Sequence, residues 1–172
     1  MNVGQAAHAM IDLETLGVGP RAAILTIGVC IFDPWDRTDR RVLDEIQIDV
    51  QSCIERGMVI TDSTLRWWLR QSDEARMSLQ CDEAMPLNRA LERLATQLQD
   101  VKYVWGNGAN FDISILETAH ELCNMDLPWD FFNVRCFRTM KNIAPMVPKV
   151  VPTVPHSASS DAEAQAIQLQ DI

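Results

Sequence analysis

The order of strand-like and helix-like segments along the chain constrains the fold more than any other sequence feature. Apolar and β-branched runs, or residues that alternate with period two, predict four strands. These lie at 7–12, 22–32, 45–50 and 103–105. Three of them lie within the first 50 residues, and the fourth comes later between helical segments. We therefore expect an early meander of strands that a later strand joins.

Helical patterns begin at Asp62 and continue to the end of the chain. The predicted helices lie at 64–71, 87–98 and 113–122, and a last one begins among Ser157, Ser159 and Ser160. In the second helix four leucines recur at helical spacing along one face. The pattern Ser160-x-x-Glu163 has the form of a capping box for the last helix. Strands first, and then helices with a strand between them, predict an α/β fold in which helices pack on a mixed sheet.

Length and charge limit the class of protein. At 172 residues the chain is expected to form one domain over residues 1–172. Its net charge of -9 counts against a broad basic groove for duplex nucleic acid. No apolar run approaches the roughly 18 residues of a membrane span, and the first residues lack a secretory signal. We therefore expect a cytoplasmic protein with no membrane partner.

Asp12 and Glu14 close the first apolar run, two residues apart. On a strand their side chains would share one face at about 6.5–7 Å, close enough to share a metal ion. Two uncompensated carboxylates repel each other, and a fold retains such a pair with a cation. The alternative is that the strand ends at Met10 or Ile11 and that both acids are solvated turn residues. The apolar flanks favour the end of the sheet, where ligands gather in α/β folds.

Two later clusters add another carboxylate, an imidazole and a fourth carboxylate. Asp112 follows a turn rich in Gly and Asn and falls in the first turn of the next helix, where the helix dipole favours an anion. By itself that acid would be structural. His156 is expected in the loop before the last helix, with Asp161 in the first turn of that helix. Four carboxylates and one imidazole in this order suit a site that holds two divalent metals and hydrolyses a phosphodiester.

The segment 145–155 delivers His156 to this site. Its prolines recur every three or four residues and remove backbone donors, so we expect an extended, exposed path rather than a helix or a central strand. Exposed loops beside a catalytic base often close over the substrate. The sequence leaves a closing lid and a static connector equally open.

Three motifs, in this order, resemble those of the DEDDh exonuclease family. They are Asp12-x-Glu14-Thr15-x-Gly17, Asn110-Phe111-Asp112-x-x-x-Leu116 and His156-x-x-x-x-Asp161-Ala162. That family has an RNase H-like fold and includes RNase T, oligoribonuclease and the proofreading subunits of polymerases. The stretch from Asp12 to Gly28 is similar to a narrower branch of mycobacterial-type exoribonucleases and phage or prophage exonucleases. The resemblance implies an RNase H-like mixed sheet and 3′-5′ exonuclease activity.

The resemblance also implies a role for each motif residue. Asp12, Glu14 and Asp161 would hold one catalytic ion. Asp12, with Asp112 acting through water, would hold a second, and both ions would be Mg²⁺ or Mn²⁺. His156 would be the general base that accepts a proton from the attacking water. The substrate-binding residues would be Leu13, Thr15, Asn110, Phe111 and Trp67.

The substrate is expected to be single-stranded RNA or DNA with a free 3′ hydroxyl. Trp67 and Trp68 cannot both face the core of one helix, so one should be partly exposed, where it could stack on a base. RNA is favoured over DNA. Two alternatives stay open: a DNA-directed exonuclease for proofreading or phage recombination and repair, and a relative that binds nucleic acid without cutting it. The sequence allows a homodimer without requiring one.

Overall fold

A computed structural model describes residues 7–73, 76, 83–108 and 110–172 of the chain. In this part of the chain the strands form one mixed sheet in the order β3-β2-β1-β5-β6, with β4 paired to β2. The strands are β1 (Ala7–Thr15), β2 (Ile24–Asp33), β3 (Asp36–Val42), β4 (Ile46–Gln47), β5 (Val101–Gly106) and β6 (Val134–Cys136). The first three are antiparallel neighbours, whereas β5 runs parallel to both β1 and β6.

Helices pack on both faces of this sheet, which confirms the predicted α/β fold. The described helices are α1 (Val50–Glu55), α2 (Asp62–Trp68), α3 (Leu87–Gln97), α4 (Asp112–Cys123), α5 (Phe137–Ile143) and α6 (Ala158–Gln170), and a 3-10 turn covers Phe131–Asn133. Within the described ranges no helix is both long enough and apolar enough to cross a membrane.

Side-chain alternation along β1 divides the core into two clusters. Met10 packs with Ala162 of α6 on one face of the sheet. Ile11 belongs to the larger cluster on the other face, which includes the buried leucines of α3. Because alternate residues of a strand point to the same face, Asp12 and Glu14 lie on the same side of β1 as α6. The burial pattern of β1 therefore decides which helix can reach these two acids.

The structure corrects the predicted strand at β4, and it contains two strands that were not predicted, β3 and β6. The strand expected at 45–50 shrinks to β4, because the Asp49 side chain accepts a hydrogen bond from the Gln51 N–H and caps α1. Strand β3 was not predicted. Its sequence DRTDRRV is exposed or half-buried throughout, so it lacks the apolar alternation that marks a half-buried strand. An edge position that needs little apolar burial gives no periodic signal in the sequence.

Candidate active site

Three of the predicted carboxylates meet at one point of the fold. Asp12 and Glu14 lie within β1, and Asp161 lies in the first turn of α6. One carboxylate oxygen from each of the three lies within 4.8 Å of the others. The alternative in which β1 ends before Asp12 is wrong, because the strand continues to Thr15. The structure thus forms a compact group of oxygen donors from residues about 150 positions apart in the sequence.

Gly28 allows α6 to approach the sheet closely enough to form this group. It lies on β2 directly opposite Asp12. A Cβ atom at this position would lie 2.0 Å from the carbonyl carbon of Ala158 and 2.2 Å from the nitrogen of Ser159. The backbone of the first turn of α6 therefore rests on the backbone of β2. A side chain at position 28 would separate the helix that carries Asp161 from the strand that carries Asp12.

The start of α6 is fixed by hydrogen bonds that the sequence did not reveal. The predicted capping box at Ser160 is wrong, because Ser157 is the N-cap and its hydroxyl accepts a bond from the Ser160 N–H. Glu45 secures the same turn from outside the helix. Its Oε2 accepts bonds from the Ser157 hydroxyl at 3.0 Å and from the Ser159 N–H at 2.8 Å. Three serines within four residues gave no way to choose the cap without this partner.

Gln165 is a second residue that sequence reasoning missed. Its Nε2 donates a hydrogen bond to Asp12 Oδ1 at 2.7 Å, and its side chain is buried. It follows Asp161 by four residues, so one face of α6 supplies both an acid of the group and a donor to the acid on β1. The i,i+4 spacing was visible in the sequence, but nothing there paired Gln165 with Asp12.

Asp112 lies beside this group rather than within it. It is the first residue of α4 and is buried, and its Oδ1 accepts a hydrogen bond from the Leu13 N–H at 3.3 Å. This contact joins the second motif to the strand of the first. Its position in the first helical turn agrees with the expectation from the sequence.

Burial disfavours the anionic form of every acid in the site, and repulsion by other carboxylates adds to it at Asp12, Glu14 and Asp161. Burial, reinforced by the charge of Asp112, raises the pKa of Asp12 well above its ordinary value. Burial, followed by repulsion from Asp161 and Glu45, raises the pKa of Glu14 to about 8. Burial also raises the pKa values of Asp112 and Asp161. A bound cation would relieve both effects, and a donor set made only of carboxylate oxygens fits Mg²⁺ or Mn²⁺.

His156 lies in the turn just before α6, as the sequence predicts. Its backbone is left-handed, with φ of 58°, a conformation that histidine tolerates better than most residues. Its ring makes edge contacts with Trp67 and Trp68, at centroid distances of 5.1 Å and 5.9 Å. The charge of His156 lowers the pKa of Asp161, so the imidazole lies within electrostatic reach of the carboxylate group.

A cavity of about 420 Å³ opens beside the carboxylates. Its lining includes Glu14 and four of the predicted substrate-binding residues, namely Leu13, Thr15, Phe111 and Trp67. Asn110, the fifth, is exposed and does not line the cavity. As predicted, only one of the tryptophan pair is exposed: Trp67 is 43% exposed, while Trp68 is buried and donates a bond from Nε1 to the Thr15 carbonyl. That bond fixes α2 against the end of β1.

A larger cavity of about 890 Å³ lies away from this chemistry. It is lined by the start of β1, by Leu43 and by residues of α3, including Arg89 and Arg93. No acid of the carboxylate group lines it. The smaller cavity is therefore the one whose position fits a reaction at the carboxylates.

The proline-rich segment 145–155 contains no helix or strand, in agreement with the sequence. Its far end is attached to α6, because Ser160 Oγ accepts a bond from the Val154 N–H at 3.0 Å and contacts Thr153 Oγ1 at 3.0 Å. Lys149, halfway along the segment, lowers the pKa of Asp161 through its charge. The segment thus passes near the carboxylate group before it reaches His156.

Solved structures of nucleases share this fold. The nuclease domain of 3′hExo, a DEDDh family member bound to rAMP, aligns with a TM-score of 0.62 at 12% identity, over 99% of this chain and 93% of that one. E. coli Exonuclease I in complex with a dA16 oligonucleotide aligns with a TM-score of 0.64 at 13% identity, over 96% of this chain and 40% of that one. At such low identities the likeness shows the fold alone, which is the expected RNase H-like fold.

Sequence comparisons define the family. The exodeoxyribonuclease of Enterobacteria phage T4 is 36% identical over 75 residues, which cover 41% of this chain and 33% of the phage protein. The match thus spans about a third of that relative's length. The sequence profile of the 3′-5′ exoribonuclease Rv2179c-like domain matches residues 7–172, a range that includes all three motifs. The resemblance to DEDDh exonucleases is confirmed, and the chain belongs to the Rv2179c-like family of 3′-5′ exoribonuclease domains.

Proposed function

We propose that this domain is a metal-dependent exonuclease that removes nucleotides from the free 3′ hydroxyl end of single-stranded nucleic acid, with RNA favoured over DNA. One observation carries the proposal: three carboxylates with oxygens within 4.8 Å of one another lie beside a cavity of about 420 Å³ that reaches Glu14. A cavity of that size suits one terminal nucleotide. The family to which the chain belongs supports the polarity and the choice of RNA.

The carboxylates would hold two divalent ions, Mg²⁺ or Mn²⁺. Asp12, Glu14 and Asp161 would hold one, since their oxygens are already grouped. Asp12 would share the second with Asp112, which adjoins β1 through the Leu13 N–H. Two such ions, when bound, would activate the attacking water and stabilise the departing 3′ oxygen. The residues of the chain supply the anionic oxygens and keep them at the end of β1.

His156 would be the general base. It lies within electrostatic reach of Asp161 and rests against the rings of Trp67 and Trp68. Because Trp67 and Trp68 also line the cavity, these ring contacts would hold the imidazole near a water beside the scissile phosphate. Proton transfer by a positioned histidine typically contributes a factor of about 10²–10⁴ to the rate.

The cavity would bind the terminal nucleotide. Leu13 and Thr15 would contact the base and sugar, and Phe111 and Trp67 would offer aromatic surface for stacking, worth roughly 1–3 kcal/mol per stacked base. Asn110, exposed on the turn before α4, would contact the strand outside the cavity. If the cavity binds the 3′-terminal nucleotide in this way, a 3′-phosphorylated strand should resist cleavage and a circular strand should remain intact.

A DNA-directed exonuclease is the second candidate. The phage T4 relative favours it, since that protein is an exodeoxyribonuclease and is 36% identical over the matched segment. A domain that binds without cutting is less well supported, because all five motif residues are present and three of them already lie within metal-binding distance of one another.

The test is cleavage of 5′-labelled single-stranded RNA and DNA of equal length and sequence, with Mg²⁺, with Mn²⁺ or with EDTA. We expect stepwise shortening from the 3′ end, faster on RNA, and none in EDTA or in Asp12→Asn and Asp161→Asn. Asp126→Asn is the matched control, since Asp126 is exposed and lies outside all three motifs. Full activity in EDTA would refute metal dependence, and efficient cutting of a circular strand would show an endonuclease.

The role of His156 needs a separate measurement. His156→Ala leaves every carboxylate in place, so Mn²⁺ affinity and binding of a 3′-ended oligonucleotide should stay near those of the wild type. Turnover should fall by about 10²–10⁴-fold. If metal affinity collapsed as it should in Asp12→Asn, His156 would be a ligand or a structural residue rather than a base.

A further inference from the structure

Two basic side chains lie at the turn that leads from β5 into the carboxylate site. Arg138 and Lys141 belong to α5 and are three residues apart, so they share one face of that helix. An Arg138 guanidinium nitrogen donates to the Asn107 carbonyl at 2.6 Å. Lys141 Nζ donates to the side-chain oxygen of the same asparagine at 3.4 Å. Asn107 thus holds the two cations together at the end of β5.

The backbone of the turn leaves room for the guanidinium. Gly108 has φ of 112°, and a Cβ atom there would lie 2.8 Å from a guanidinium nitrogen of Arg138. The guanidinium therefore lies directly against the main chain of the turn, four residues before Asp112. Its charge reaches that acid, because it lowers the pKa of Asp112. Arg138 is accordingly close to the proposed catalytic group while remaining exposed to solvent.

Neither cation forms an ion pair within 4.0 Å with an acid in the described ranges of the chain. Other arginines form ion pairs there within 4.0 Å, such as Arg66 with Asp62 and Arg89 with Glu92, and no such pair involves Arg138 or Lys141. A guanidinium carries five donors, and among the described residues Arg138 makes one hydrogen bond, to the Asn107 carbonyl. In a chain of net charge -9, two neighbouring cations without a close ion-pair partner in the described ranges, beside an acidic site, are suited to an anionic ligand.

The sheet order indicates which part of a substrate would reach this pair. The end of β1 carries the carboxylates and adjoins the cavity, and β5 and β6 lie beyond it on one side. Helix α5 begins directly after β6, two strands from β1. Two strand spacings are roughly 10 Å, about the rise of three stacked nucleotides. A strand with its 3′ nucleotide in the cavity and its scissile phosphate at the carboxylates can therefore continue toward Arg138.

We propose that Arg138 and Lys141 bind a backbone phosphate of the substrate strand, about two or three nucleotides upstream of the scissile bond. This inference rests on the proposed exonuclease function. The contact reads no base, because it is made to a phosphate. It gives a domain of net negative charge a grip on strands longer than a dinucleotide. It also makes the efficiency of cleavage depend on substrate length.

The test compares a dinucleotide with a single-stranded 12-mer RNA at several salt concentrations. For each variant we divide kcat/KM for the 12-mer by kcat/KM for the dinucleotide. In the double variant Arg138→Gln and Lys141→Gln we expect this ratio to fall by about tenfold or more. The slope of log(kcat/KM) for the 12-mer against log[salt] should become shallower by about 0.7 per lost phosphate charge. Arg138→Lys keeps the charge and should retain the wild-type slope.

Arg89→Gln is the matched control, since Arg89 is paired with Glu92 on α3 and lies apart from the carboxylates. It should change neither the ratio nor the slope. An equal loss of activity on both substrates would show that Arg138 only shapes the turn before Asp112, and would overturn the inference. If the wild type cut neither substrate, the exonuclease function itself would fail. Fluorescence anisotropy of the labelled 12-mer would then test the salt slope of binding, and an unchanged slope in the double variant would still refute the phosphate contact.

Discussion

Replacing Gly28 by alanine would test whether close contact between α6 and the sheet assembles the carboxylate group. The new Cβ would lie 2.0 Å from the carbonyl carbon of Ala158, where ordinary contacts begin at 3.4 Å, so the helix must move by about 1.4 Å. The obstructing atoms are backbone and cannot rotate away. Asp161, three residues further along α6, would move with them.

The expected cost has two parts. Overpacking at a helix–sheet contact destabilises by about 1–3 kcal/mol, which lowers the Tm of a domain of this size by roughly 2–12 °C. Oxygen ligands bind Mg²⁺ at about 2.0–2.1 Å, so the site tolerates a variation of only about 0.1 Å. A displacement of about 1.4 Å exceeds that tolerance by far. A misplacement of about 1 Å can reduce a rate by about 10². We therefore expect the activity of Gly28→Ala to be about 100-fold lower than that of the wild type. Addition of Mn²⁺ should raise the Tm of this variant much less than it raises the Tm of the wild type.

The assays are cleavage of a 5′-labelled 12-mer and thermal unfolding with and without Mn²⁺, with circular dichroism to confirm that the variant is folded. Gly19→Ala is the matched control, because a Cβ at Gly19 has nothing within 4 Å. It should behave as the wild type in both assays. A folded Gly28→Ala protein with normal activity and normal stabilisation by Mn²⁺ would refute the argument, since Asp161 would then reach Asp12 without the close contact.

Three further outcomes are expected. Gln165→Met keeps the volume but removes the donor to Asp12, so Mn²⁺ affinity measured by calorimetry should fall about 10-fold or more, whereas Gln168→Met, at a buried position on the same helix, should leave it unchanged. Because the folded pKa of Glu14 is about 8 against an ordinary 4.5, this side chain keeps a proton in the metal-free folded protein that it loses in the unfolded chain, and the free energy of unfolding should fall as pH rises from about 7.5 to about 8.5. His8 and His120 have pKa values lowered from 6.5, so they oppose this trend around pH 6.5 and contribute little above about pH 7.5; urea titrations in EDTA would check the slope, and a rise in stability would contradict it. Trypsin should cut after exposed Lys149 in the free protein and more slowly once Ca²⁺ and a single-stranded oligonucleotide are bound; equal rates would make the proline-rich segment a static connector.

Local patterns in the sequence were enough to place the main elements and the motif residues on them. The apolar run before Asp12 identified β1, and the flanks of Asp112 and Asp161 predicted that both lie in the first turn of a helix, as they do. Such predictions succeed because an element that buries one face repeats its apolar residues at a short, regular spacing along the sequence. Where little apolar surface is buried, as in β3, the period vanishes and the strand was missed.

The tertiary structure alone decided how these residues meet. Gln165 contacts Asp12 across 153 positions of sequence, and Glu45 reaches the start of α6 across more than 110. Neither pair leaves a local pattern, because side chains that distant become neighbours only after strands and helices have packed. The same holds for Gly28, whose missing side chain matters only because the backbone of α6 rests on it. The sequence by itself determined which groups are available for chemistry, and the packing of α6 on β1 and β2 decided that they form one site.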